Sequence, residues 1–264
     1  QVADVLAGEQ SSGTFVKITT ETEGMSEEFR ASVRQIERLE QVDAPTLSSA
    51  WLERKHVRGP FNRAIVTVVF QTANIGANLP TLAAVVAGNL YELGELTGVR
   101  LLSLALPATF IRRFEAPRHG VVGSRALCGV AQGPVLGSII KPNVGLSPER
   151  TAAVVRTLCE AGLDFIKDDE VMADPPHSPF AERVRAVMRV IDDHALRTGK
   201  RVMYAFNVSD ETDAMRRKAD LVARADGTCV MASLNWCGLS AMQSLRRSCD
   251  LAIHGHRNGF GMLE

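Results

Sequence analysis

Four ionisable side chains stand in a row in Asp-Phe-Ile-Lys-Asp-Asp-Glu (residues 164–170): Lys167, Asp168, Asp169 and Glu170. They close an apolar, strand-like segment, where an unpaired charge is costly to desolvate. The run therefore either lies in water or is paired. Asp169 and Glu170 are hard oxygen ligands of the kind Mg²⁺ takes, one or two carboxylates with positions left open to substrate oxygens. Two-residue periodicity alone would send Glu170 away from Asp169, but a turn at the strand end lets both reach one ion. As a cation Lys167 cannot bind a metal. An amine of lowered pKa that reacts with CO₂ becomes a carbamate, an oxygen ligand with negative charge. A second lysine, Lys141, can move protons if burial and a nearby metal lower its pKa. A Lewis acid beside a lysine acid/base is the equipment for making and quenching an enolate next to a carbonyl.

The same phase recurs elsewhere. Side chains two apart on a strand share a face, and three apolar runs end in such polar pairs: Lys141 and Asn143, Lys167 and Asp169, His254 and His256. Asn207 ends a fourth. One charged strand end is ordinarily a solvated turn; several in the same phase are not explained that way. Catalytic residues drawn from the C-terminal ends of different strands are what a (β/α)₈ barrel presents at its mouth, whereas an open sheet concentrates its ligand in one crevice.

The elements needed to position them can be read from periodicity. From about residue 133 the segments "VLGSIIKP" (135–142), "DFIKDDE" (164–170), "RVMYAFNV" (201–208), "TCVMASL" (228–234) and "LAIHGHR" (251–257) read as strands. Helical stripes separate them: Val154, Val155, Leu158 and Ala161 behind Ser147 and Pro148; Phe180, Val184, Val187, Met188 and Ile191; Met215, Ala219 and Val222; Ala241, Met242 and Leu245. Five strands with four crossovers imply a parallel sheet with right-handed connections. Upstream, 64–71 and 99–107 are strand-like, 79–93 is helical or mixed, and Phe29, Val33, Ile36 and Leu39 predict a helix over 26–39. The expectation is an α/β protein: an N-terminal α+β domain over 1–130, then the first five strands of a TIM barrel over 131–264.

Composition narrows the class. Thirty basic and thirty acidic side chains in 264 residues leave no net charge to attract nucleic acid or an anionic membrane. No apolar run reaches the roughly 18 residues of a membrane span. "QVADVLAGEQ" lacks the basic start and apolar core of a signal peptide. The five cysteines contain no CxxC and read as reduced, packed thiols. A cytoplasmic location is expected.

At this point the sequence resembles the RuBisCO large-subunit superfamily. "GSIIKPNVGLSPE" (137–149), "GLDFIKDDE" (162–170) and "HGHR" (254–257) are similar to its signatures of barrel strands 1, 2 and 5. "GEQSSGTF" (8–15) and "AGNL" (87–90) are similar to active-site segments of its N-terminal domain. The resemblance implies that Lys167 is a carbamylated lysine and, with Asp169 and Glu170, binds Mg²⁺. It makes Lys141 the lysine that moves protons and His254 and His256 the strand-5 histidines, His256 among the catalytic residues and His254 at the substrate. Arg257 then binds a substrate phosphate. Glu9, Thr14 and Asn89 match residues that reach the partner subunit's active site, which implies a homodimer or higher homo-oligomer with shared sites.

Departures from the pattern redirect the activity. Asn143, expected at the substrate, stands where the family has a second lysine; Phe260 replaces a histidine and Phe15 a tryptophan. The resemblance is therefore to the non-carboxylating, RuBisCO-like (type IV) group. "ANIGANLP" (73–80) and "HGHRNG" are similar to members that act on phosphorylated oxo-acid sugars of the apionate pathway. The expected function is a Mg²⁺-dependent lyase or isomerase, decarboxylating or cleaving an oxo-isoapionate-phosphate type substrate. The alternatives are a 2,3-diketo-5-methylthiopentyl-1-phosphate enolase-type isomerase, a true ribulose-bisphosphate carboxylase, and a metabolite-binding scaffold. Barrel strands 6 to 8 find no match, so the chain is expected to be part of a longer protein.

Overall fold

The computed structural model describes residues 1–12, 19–20 and 22–263. Thr14 and Phe15 lie outside the described residues. Two compact units divide between Phe114 and Glu115, ahead of the division at 130/131 read from the sequence.

The first unit runs α1 (Val2–Glu9), α2 (Glu23–Phe29), β1 (Ser32–Val42), α3 (Ala50–Arg54), β2 (Phe61–Val69), α4 (Thr72–Ile75), α5 (Leu79–Ala87), a 3₁₀ turn (Asn89–Tyr91) and α6 (Ala108–Ile111). β1 and β2 pair antiparallel, Ser32 opposite Val69 and Val42 opposite Phe61. This corrects the helix expected over 26–39: α2 ends at Phe29, and the Val33, Ile36 and Leu39 positions belong to a strand. Cross-strand hydrogen bonding to β2 overrides the helical apolar spacing. The strand expected over 99–107 is also absent. Its backbone finds no neighbouring strand; the Leu101 amide donates instead to the Tyr91 hydroxyl at 3.1 Å. Helix α5 is capped by Asn78, whose side chain accepts from the Thr81 amide at 3.0 Å. It stops at Gly88, where a Cβ would collide with the Ala84 carbonyl, and the chain tightens into the 3₁₀ turn that carries Asn89.

The second unit runs α7 (Gly120–Cys128), β3 (Gly137–Ile139), α8 (Pro148–Glu160), β4 (Phe165–Lys167), α9 (Phe180–Thr198), β5 (Met203–Asn207), α10 (Thr212–Arg224), β6 (Cys229–Ser233), α11 (Leu234–Ser248), β7 (Ala252–His256) and α12 (Phe260–Leu263). The five strands lie in chain order, β3-β4-β5-β6-β7, all parallel. That is the part-barrel expected from the alternation.

Two-residue periodicity sorts the strand side chains into two populations. Ile166, Tyr204, Phe206 and Val230 join Val155, Val184, Val187, Ile191, Met215, Val222 and Leu245 in the core between sheet and helices. Burying each such side chain contributes about 1.5–3 kcal/mol. Phe165, Met203, Ala205, Cys229, Met231 and Ala252 face the other side, together with Cys128 of α7. Register places Lys167 level with Ala205, Asn207 with Met231, and Met231 with His254, so the inner-face polar residues collect at the C-terminal edge.

Helix α8 starts where the Ser147 hydroxyl accepts from the Arg150 amide at 3.3 Å, with Pro148 in the first turn. Ser147→Ala is expected to cost about 1 kcal/mol of stability in urea unfolding. The helix packs closely on α9, so an unchanged midpoint would mean that this cap contributes nothing.

Candidate active site

The C-terminal strand ends bring together Lys141, Lys167, Asp169, Glu170, His254 and His256. Lys141 donates to Asp169 Oδ2 at 2.6 Å, joining the end of β3 to the end of β4. Asp169 is buried and Lys141 half exposed. Burial pushes the Asp169 carboxyl up, but the hydrogen bonds from Lys141 and the Val171 amide outweigh it and hold Asp169 below the usual carboxylate range. Lys167 is drawn down from the ordinary lysine value by burial, against the raising influence of Glu170, Asp169 and Asp168. Its ammonium donates to the Asp168 carbonyl at 3.1 Å and lies 3.6 Å from the Met231 sulfur.

The two histidines stand edge to face, ring centroids 6.0 Å apart. Both are held below the usual imidazole value, first by burial and then by the Lys167 charge. His256 Nδ1 accepts from the Asn258 amide at 3.0 Å. The neutral ring therefore carries its proton on Nε2, which points at Glu170 Oε2 3.6 Å away. Arg257 is exposed and stacks on Phe260, 4.7 Å from guanidinium carbon to ring centroid. The Asn235 side-chain amide donates to the Asn258 carbonyl at 3.0 Å, and Trp236 packs against Gly259 (φ +83), where a Cβ would strike the indole.

Asn143 is exposed in the loop after β3. The next loop reaches across to it: the Gly145 amide donates to His177 Nε2 at 3.0 Å. In the first unit, the helix that ends at Glu9 packs on the 3₁₀ turn that begins at Asn89. Thr14 lies outside the described residues.

Asp168, the one member of the charged run without an expected role, is fully buried and faces the helices. Tyr204 Oη donates to its Oδ1 at 2.5 Å, the Asn207 amide to Oδ2 at 2.9 Å, and Arg183 Nε to Oδ2 at 3.4 Å. Burial raises the Asp168 carboxyl, offset in part by Arg183 and Tyr204. Burial also pushes the Tyr204 phenol well up, reinforced by the Asp168 charge beside it. Sequence reasoning missed Arg183 and Tyr204. The only signal was an arginine interrupting the apolar stripe of α9 between Phe180 and Val184.

Among the described residues, no three His, Cys, Asp or Glu side chains cluster as a metal site. Asp169 and Glu170 are two hard oxygen donors at one strand end, and Lys167, as a carbamate, would add a third. Burial, which draws the half-buried Lys167 amine down from the ordinary lysine value, is in keeping with such a group. Burial raises the Cys128, Cys159 and Cys249 thiols and pushes Cys229 up to about 12, which disfavours a thiolate at these four. A cavity of about 420 Å³ on the inner face, lined by Val121, Cys128, Phe165, Met203 and Cys229, touches the polar cluster only through His254. No described helix is long and apolar enough to cross a membrane.

Comparison with known proteins agrees with this geometry. Residues 1–110 match the family "Ribulose bisphosphate carboxylase large chain, N-terminal domain", and residues 120–264 match "Ribulose bisphosphate carboxylase large chain, catalytic domain". A 3-oxo-isoapionate-4-phosphate transcarboxylase/hydrolase from Xanthobacter autotrophicus is 47% identical over 263 residues, 100% of this chain and 62% of that protein. A 3-oxo-isoapionate-4-phosphate decarboxylase from Rhizobium rhizogenes is 41% identical, over 99% of this chain and 62% of its own length. The crystal structure of a rubisco-like protein from Burkholderia fungorum superposes with a TM-score of 0.92 at 60% identity, covering 99% of this chain and 61% of that one. The chain thus spans about three fifths of the length of the relatives it matches. With both domains matched in order and the strand-end residues gathered at one sheet edge, the chain belongs to the RuBisCO large-chain superfamily, among its RuBisCO-like proteins.

Proposed function

We propose that the protein is a Mg²⁺-dependent enzyme that decarboxylates or cleaves a phosphorylated β-keto acid of the 3-oxo-isoapionate-4-phosphate type. The observation that carries this reading is the convergence of two lysines, two carboxylates and two histidines on one sheet edge, with Lys141 hydrogen-bonded to Asp169 at 2.6 Å. The relatives of 41% and 47% identity act, by their names, on that substrate.

Asp169, Glu170 and carbamylated Lys167 would hold Mg²⁺, which when bound supplies a Lewis acid for charge developing on a substrate carbonyl oxygen. When the C–C bond to the carboxylate breaks, its electron pair moves toward that ketone oxygen. Lys141 then donates a proton to the carbon that lost CO₂, and the Asp169 contact holds its ammonium at the reaction centre. His256, its tautomer fixed by the Asn258 amide, directs an N–H toward the same edge. Arg257 binds the substrate phosphate through its exposed guanidinium. His254 and Asn143 complete the substrate site from this chain, and Glu9, Thr14 and Asn89 serve the site of a partner subunit in a homodimer or larger homo-oligomer. The protein acts in the cytoplasm on a small molecule, not on nucleic acid. With Asn143 in place of a lysine, the cation that bisphosphate carboxylation uses at that strand end is missing, which disfavours CO₂ fixation.

The test is CO₂ release from 3-oxo-isoapionate 4-phosphate in Mg²⁺ and bicarbonate. Turnover on the order of 1–10³ s⁻¹, the ordinary enzymatic range, that disappears in EDTA is the expected result. Tight binding without turnover would make the protein a metabolite-binding scaffold.

A further inference from the structure

We propose that Asn207, Tyr204 and Arg183 form a brace around the end of β4 and the turn after it that positions the metal-binding edge, so that all three are positioning residues. The inference rests on the function proposed above. Its ground is the hydrogen bonding of Asn207 and Asp168, which faces away from the site. The fully buried Asn207 side-chain amide donates to the Asp169 and Glu170 carbonyls, both at 3.0 Å, while its Oδ1 accepts from the Ser209 amide at 3.0 Å. One side chain of β5 thus ties down the backbone of two successive carboxylate residues.

Asp168 fixes the pleat. It takes three donors: the Tyr204 hydroxyl and Arg183 from the outer layer, and the Asn207 backbone amide from β5. Anchoring Asp168 outward obliges Lys167 and Asp169, its neighbours on either side, to project toward the inner face. Arg183, fully buried, secures the loop after β4. It donates to the carbonyls of Ser178 at 2.7 Å, Met172 at 2.9 Å and Ala173 at 2.6 Å. The loop from Glu170 to Pro179 is thereby closed onto α9 by one guanidinium. Lys218 of α10 adds a second tie, 3.2 Å from Asp174 and 2.6 Å from Asp210. A core that needed only packing would not place an arginine, a tyrosine hydroxyl and an asparagine around one carboxylate directly behind the ligand-bearing turn. Groups that orient metal ligands typically change metal affinity by 10–100-fold when removed.

The test compares wild type with Tyr204→Phe and Asn207→Asp, which nearly conserve volume. Mg²⁺ affinity is measured by calorimetry at fixed bicarbonate, and the melting temperature is measured in EDTA. About tenfold or greater weakening of Mg²⁺ binding, out of proportion to any change in metal-free melting, is expected for Tyr204→Phe. Asn207→Asp provides the same readout should Tyr204→Phe fail to fold. Melting that falls while Mg²⁺ affinity stays within about twofold of wild type overturns the inference and makes the brace merely structural. A wild-type protein that does not bind Mg²⁺ overturns the proposed function and this inference together. Wild-type binding with unaltered variants overturns this inference alone.

Discussion

Lys167→Ala is expected to remove the bicarbonate dependence of Mg²⁺ binding and to lower kcat/KM by on the order of 10³-fold or more, since a Lewis-acid metal supplies several kcal/mol of charge stabilisation. Lys167 is the member of the cluster that can change its chemical identity. It is half-buried, its amine is drawn down by burial, and it ends β4 two residues before Asp169. Its amine can take up CO₂ with loss of a proton, turning a cation that repels Mg²⁺ into an anion that binds it. Without that carbamate, two carboxylates remain, one of them, Asp169, already engaged by Lys141. The measurement is calorimetric titration of Mg²⁺ with and without bicarbonate, on wild type and variant. Equal Mg²⁺ affinity in all four combinations would remove the carbamate from the site.

The largest loss of stability is expected at Arg183. Arg183→Met leaves Asp168 buried without its counter-ion, and breaking a buried pair from one side costs about 3–5 kcal/mol. The cost is asymmetric, because the guanidinium also satisfies three loop carbonyls that methionine cannot reach. Adding Asp168→Asn to Arg183→Met removes the orphaned charge and is expected to return part of that loss. Urea unfolding of the two single variants and the double variant checks this. A double variant no more stable than Arg183→Met would show that the loop carbonyls dominate and the ion pair does not.

These two residues also show what could be read without coordinates. Lys167 and Asp169 could be singled out because their types are chemically specific and their spacing obeys a period of two, with Glu170 added by the turn that follows. Arg183 could not. An arginine in a helical stripe gives no sign of whether it faces water or a buried aspartate fifteen residues earlier, since that depends on how α9 packs on β4. Tyr204 likewise reads as one more apolar strand residue until its hydroxyl is seen against Asp168.

The sequence by itself determined the five-stranded parallel arrangement of the second unit and the polar edge that carries the candidate site. Both arise from local periodicity, helix caps and residue chemistry, which neighbouring residues suffice to express. The tertiary structure alone decided the first unit's details. Residues 32–42 form a strand because β2 pairs with them, and residues 99–107 do not because nothing does. It also decided that Asp168 turns outward and that Asn207 ties down the backbone of Asp169 and Glu170. A hydrogen-bond partner distant in the chain leaves no periodic trace, so only the folded molecule reveals it.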